Sequence, residues 1–163
     1  MAKVQPIPAG VPTVIPNLTI KRCGAAMDFY KRALGATEVM RSLAPDGSGS
    51  VWHGELRIGE SVLYVNDEMP GMGAPAPSPE RPSPVSIWIW ANDCDAAYKR
   101  AVEAGATSKM PPSDMFWGDR SATVADPFGY SWMFSTHVKD MTPEEMQRAG
   151  EAFAKEQAAK SRK

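Results

Sequence analysis

The feature that most constrains this chain is a repetition inside it. Tyr30-Lys31-Arg32-Ala33 is followed by Gly35-Ala36-Thr37 and Met40. The same series returns as Tyr98-Lys99-Arg100-Ala101, Gly105-Ala106-Thr107 and Met110, the second Gly-Ala-Thr lying 70 residues after the first. That period is too long for a solenoid and suits a duplicated supersecondary unit. A chain of 163 residues is one domain of ordinary size, so both copies belong to a single fold.

The elements follow the repeat. Val14 to Ile20 is a β-branched run and reads as a strand. Ala26, Phe29, Tyr30 and Ala33 have the spacing of one helix face, which predicts a helix over Ala25 to Leu34, stopped by Gly35 in the left-handed cap position. A strand is expected near Thr37 to Ser42, then a turn at Asp46-Gly47. Val51 to Ile58 and Ser61 to Asn66 read as two strands joined by a tight turn at Gly59-Glu60. Met69 to Pro84, rich in proline and glycine, reads as an irregular or mobile linker. In the second copy, Val85 to Ala91 is a strand, and Asp93 caps a helix over Asp95 to Ala104. Thr107 to Met110 is a short strand halted by Pro111-Pro112. Ala122 to Ala125 and Tyr130 to Thr136 are strands around the turn Asp126-Pro127-Phe128-Gly129. Thr142-Pro143-Glu144-Glu145 is a capping box opening a last helix, to about Ala159, with a thin apolar stripe through Met146 and Phe153. That stripe suits packing on the surface or against a partner subunit.

The balance of charges excludes some functions. A net charge of -1 gives no electrostatic footprint for nucleic acid or an acidic membrane. No apolar run is long enough to span a bilayer, and Met1 to Pro16 lacks the pattern of a signal peptide. Cys23 and Cys94 stand in no metal or redox spacing, so two free thiols in a cytoplasmic protein are expected. Ten Met and five Trp point to a soft, aromatic interior or pocket.

Several of these motifs resemble a known family. Phe29-Tyr30-x-x-x-Leu34-Gly35 and the Asp126-Pro127-Phe128-Gly129 turn are similar to a helix end and a turn of the vicinal oxygen chelate superfamily, the glyoxalase, bleomycin-resistance and dioxygenase fold. His53-Gly54-Glu55, Phe116-Trp117-Gly118-Asp119-Arg120 and Thr136-His137-Val138 resemble its PhnB-like subgroup. The resemblance runs from about Val14 to Glu145. It implies an α+β fold of two βαβββ modules whose curled mixed sheet makes a cup, with a C-terminal helix added. The domain would occupy 1–140, with module one about 13–67, a linker over 68–84 and module two about 85–137, and a helix and tail over 141–163. It also implies a homodimer, because cups in the family are often completed by two chains.

In the metalloenzymes of that family the first and last strands of each module supply His or Glu ligands. Counting from the motifs puts Ile15, with Asn17 and Thr19 on its face, then Leu63 or Tyr64, Ser86 and Met133 at those positions. None is a His or a carboxylate, so no metal and no other cofactor is expected. Strand alternation then fills the cup differently. If Ser86 faces it, so do Trp88 and Trp90, with Ile87 and Ile89 toward the helices. If Met133 faces it, so do Ser131 and Ser135, with Trp132 and Phe134 inward. On Val51 to Ile58, Trp52, Leu56 and Ile58 form the apolar face and His53, Glu55 and Arg57 the polar one.

Each singled-out residue has a functional and a plain reading. His53 and Glu55 are an acid-base pair, half of a displaced metal site, or a polar strand surface. Arg120, close behind Trp117, clamps a ligand's carboxylate or phosphate, or pairs with Asp119 or Asp114. Trp88 and Trp90 are stacking platforms or a buried interface. His137 reads as a surface histidine, and the two cysteines read as structural thiols. The set Asn17, His53, Glu55, Ser86, Trp88, Trp90, Trp117, Arg120 and Met133 therefore predicts a metal-free cup for a small aromatic or amphipathic molecule, as in bleomycin resistance. The alternatives are an enzyme of the glyoxalase, fosfomycin-resistance or dioxygenase kind, and a protein-interaction module.

Overall fold

The repeated Tyr-Lys-Arg-Ala segments lie in two helices, each set between strands of its own sheet. The computed structural model describes residues 4–69, 71–73 and 75–160. Along the chain run β1 (Asn17–Ile20), α1 (Cys23–Leu34), β2 (Thr37–Leu43), β3 (Val51–Ile58), β4 (Ser61–Asp67), β5 (Ser86–Trp90), α2 (Cys94–Glu103), β6 (Thr107–Asp114), β7 (Asp119–Ala125), β8 (Ser131–His137) and α3 (Pro143–Lys160). The strands make two four-stranded sheets of matching order, β1-β4-β3-β2 and β5-β8-β7-β6. In each, the first strand pairs parallel with the last and the other pairs are antiparallel. This is the expected α+β fold of two βαβββ modules with a C-terminal helix.

The duplication extends to the caps. The first N–H of α1, on Cys23, donates to the Asp67 carboxylate at the end of β4, which also accepts from the Val51 N–H. The first N–H of α2, on Cys94, donates to Thr136 Oγ1 near the end of β8. These partners lie 44 and 42 residues away. That is why α1 begins two residues before the Ala25 that local periodicity suggests.

Three local expectations are corrected and a fourth is narrowed. β6 does not stop at Pro111-Pro112 but continues to Asp114. It is the outer strand of its sheet, and its register slips between Met110 and Ser113, so neither proline has to donate to the ladder. β7 starts at Asp119 rather than Ala122, its end closed by the Met115 N–H donating to the Asp119 carbonyl. Trp52 is not on the core face: Val51 pairs with Leu43 and His53 with Ser42, leaving Trp52 in a bulge, 53% exposed, while Val51 takes the inward position. The linker is irregular, as expected, and its stretch 75–84 is packed against module two. Ala76 is buried, the Ser83 N–H donates to the Gly129 carbonyl, and Gly129 (φ +94) lies so close to the Ser78 backbone that a Cβ there would collide with it.

Both modules share one core. It gathers Leu18, Ile20, Phe29, Tyr30, Leu56 and Val65 from the first with Val124, Phe128, Trp132 and Phe134 from the second. Asp126 sits at the seam. Its carboxylate accepts from the Tyr30 hydroxyl (2.8 Å), the Trp132 indole (2.9 Å) and the Phe128 and Tyr130 N–H groups. Among the described residues, no helix is long and apolar enough to cross a membrane.

Candidate functional site: the open face of module two

Alternation along β5 and β8 separates core from opening. Trp132 and Phe134 are fully buried and Ile87 and Ile89 pack against the core. Trp88 and Trp90 point the other way and are 48% and 62% exposed. Their rings stand 6.0 Å apart with planes tilted by 37°. Register extends the same face across the sheet: Ser86 pairs with Ser131, Trp88 with Met133 and Trp90 with Ser135. Beyond them Thr123 pairs with Met133, Ser121 with Ser135 and Asp119 with His137. The Ser121 and Ser135 hydroxyls are buried and 2.7 Å apart.

The loop between β6 and β7 and the last helix close this face from the side. Phe116 meets Trp117 edge-on at 4.9 Å and the Phe153 ring of α3 at 5.3 Å. Gly150 lets α3 approach Phe116, so the thin stripe seen in the sequence docks on this loop. The result is an open cavity of about 660 Å³ lined by Trp88, Trp90, Trp117, Asp119, His137 and Met146. Among the described residues, the Trp117 indole N–H is the one buried side-chain polar group without a hydrogen-bond partner. A second cavity, of about 680 Å³, runs along the free edge of β5, between Ile87 to Trp90, the turn joining β3 to β4, and Pro12, Val14 and Pro16.

His137 lies between two carboxylates: Nδ1 is 2.9 Å from Asp119 Oδ1 and Nε2 is 3.0 Å from Asp140 Oδ1. Both nitrogens can donate at once only as an imidazolium. Asp119 first, then Asp140, holds the ring's pKa above its ordinary 6.5. Asp119, His137 and Met146 were not among the site residues expected from sequence. For His137 the signal was present: the Met133, Ser135 alternation reaches it two residues on.

The remaining expected residues are dispersed. Ser86 and Met133 share the open face without lining the cavity. Asn17 lines a separate cavity of about 320 Å³ beside the linker prolines and Tyr130. His53 and Glu55 lie on module one's sheet, the His53 ring against Tyr64 at 4.7 Å, and neither lines the Trp cavity. Arg120 is directed to the helix side, where its guanidinium pairs with both oxygens of Asp95 and with Asp114 at 2.9 Å. Both cysteines are buried, and burial pushes the Cys23 thiol up to about 12 and raises that of Cys94, so neither supplies a thiolate nucleophile.

The residues do not fit the metal that the resemblance implies. Asn17 pairs with Tyr64 in β1 and β4, and Ser86 and Met133 stand in β5 and β8. An amide, a phenol, a hydroxyl and a thioether are a poor donor set for a divalent ion. Among the described residues no three His, Cys, Asp or Glu side chains are grouped for one.

Comparison with known proteins agrees with the fold. The Glyoxalase/Bleomycin resistance protein/Dioxygenase superfamily profile matches residues 13–134, and the chain belongs to that superfamily. It is 37% identical over 141 residues to the uncharacterized protein Mb0911c of Mycobacterium bovis, covering 85% of this chain and 91% of that one. It is 33% identical over 134 residues to the anthracycline biosynthesis protein DnrV of Streptomyces peucetius, which covers 78% of this chain but only 42% of DnrV. Among solved structures, TioX from Micromonospora sp. ML1 superposes with a TM-score of 0.63 at 25% identity, over 78% of this chain and all (100%) of TioX. A PhnB protein from Bacillus cereus superposes with a TM-score of 0.60 at 14% identity, over 77% of this chain and 99% of its own, which supports the fold alone.

Proposed function

We propose that this chain binds a planar aromatic or amphipathic small molecule on the open face of module two, without the metal used by enzymes of the superfamily. The observation that carries this reading is the set Trp88, Trp90 and Trp117 around one cavity with Met146 at its edge. About 660 Å³ lies within the range of small-molecule pockets, and three indoles with a flexible thioether suit a flat apolar surface. The donor set at the family's ligand positions supports the metal-free part. The name of DnrV is consistent with it too, since anthracyclines are flat polycyclic compounds. The role is of the bleomycin-resistance kind, sequestration rather than turnover. Two buried free thiols suit a reducing, cytoplasmic setting.

Quenching of tryptophan fluorescence by neutral acridine tests the reading. Saturable binding is expected, weakened about 5–150-fold by Trp90→Ala, the loss typical of a stacking anchor. Unchanged affinity in folded Trp88→Ala and Trp90→Ala proteins would overturn it.

A further inference from the structure

We propose that the cavity selects an organic cation, with Asp119 as counter-ion to a protonated or quaternary nitrogen carried by the aromatic ligand. This rests on the aromatic pocket proposed above and adds the charge of its occupant. The chain has two well-buried carboxylates in module two, and their surroundings differ. Asp126 is saturated by two side-chain and two backbone donors. The Asp119 side chain is only 9% exposed, yet its carboxylate has a single partner among the described residues, His137 at Oδ1. Asp119 Oδ2 is left over, at the wall of a cavity otherwise made of indoles, an imidazole and a thioether.

Among the described residues, no Lys or Arg lines that cavity. Arg120, the nearest cation in sequence, is directed away by strand alternation and held by Asp95 and Asp114. His137 is shared with Asp140, so two carboxylates meet one imidazolium: −2 and +1 leave −1. Lys139 and Arg148 are offset by Glu144 and Glu145 in the first turn of α3, so they do not cancel that charge. An anionic ligand would therefore enter an uncompensated negative field. A neutral one would cover Asp119 Oδ2 and strip its water without replacing it. A cation does the opposite: it pairs with the carboxylate and is attracted to the negative ring faces of the tryptophans.

The test uses three flat probes of one size: N-methylacridinium, acridine at a pH where it is neutral, and acridine-9-carboxylate. Their affinities are measured by titration on the wild-type chain, Asp119→Asn and Trp88→Ala. The cation is expected to bind about tenfold tighter than neutral acridine, with the anion weakest. Asp119→Asn, which keeps an acceptor for His137, should collapse the cation-to-neutral ratio to within about threefold. Equal wild-type affinity for cation and neutral probe, with both weakened in Trp88→Ala, would overturn the counter-ion while leaving the aromatic pocket standing. Failure of all three probes to bind overturns the pocket and the counter-ion together. Should Asp119→Asn not fold, the wild-type ratio alone decides.

Discussion

Asp126 gathers donors from both halves of the molecule, and its worth can be measured directly. Asp126→Ala leaves the Tyr30 hydroxyl and the Trp132 indole N–H unpaired in the shared core, each costing about 1–3 kcal/mol, so urea unfolding should show a loss of roughly 3 kcal/mol. A loss below about 1 kcal/mol would mean that the seam is held by packing alone. His137 gives a pH dependence of known sign. Its folded-state pKa is raised above 6.5 by Asp119 and Asp140. The contribution of these contacts to folding is therefore fully present below about 6.5 and lost as pH rises through the folded value. NMR titration should place the His137 ring above 6.5, and Asp119→Asn should move it back down. A His137 that titrates at or below 6.5 contradicts the paired geometry. Of the residues lining the cavity, Trp88, Trp90 and Trp117 were legible in the sequence as sharing an open face or a loop, because strand alternation and an aromatic loop motif are local signals. Asp119 was not: its place depends on β7 starting three residues before Ala122 and on its register opposite His137.

At the scale of elements, β5 concentrates the account into five residues. Its even positions face the opening and its odd positions the core, which separates binding from folding. Ile89→Ala should cost about 1–2 kcal/mol of stability and leave probe affinity nearly unchanged, whereas Trp90→Ala should do the reverse. If both substitutions act on stability alone, the face assignment is inverted. Elements were readable where the pattern was local. β3 starts and ends where its β-branched and alternating residues suggest, since Gly59 (φ 56) fixes the two-residue turn after Ile58. They were misread where a distant partner decides. Asp67 and Thr136 cap helices that begin before their periodicity does. An edge position rescues the prolines of β6, and the Trp52 bulge reverses the apparent inward and outward faces at the start of β3.

For the whole molecule, the Gly-Ala-Thr repeat was the most informative feature, because it corresponds to two sheets of the same strand order and two helices capped from the last strand of each. The same repeat says nothing about ligand, since the two open faces have diverged: His53, Glu55 and Tyr64 on one, indoles on the other. Exposed Met40, Leu43 and Trp52 on module one, with Phe153 on α3, motivate the proposal of a homodimer. Light scattering should report a dimer, with at least about 1,000 Å² buried in total, and a monomer at high micromolar concentration would count against it. The central claim, that the indoles of module two form a ligand pocket, is tested most directly by the five tryptophan indole N–H signals in an ¹H–¹⁵N spectrum during titration with N-methylacridinium. Trp88, Trp90 and Trp117 should shift together and saturate with one affinity, while Trp132 in the core and Trp52 on module one stay in place. Saturable shifts at Trp52 with none at Trp88, Trp90 and Trp117 would contradict the account.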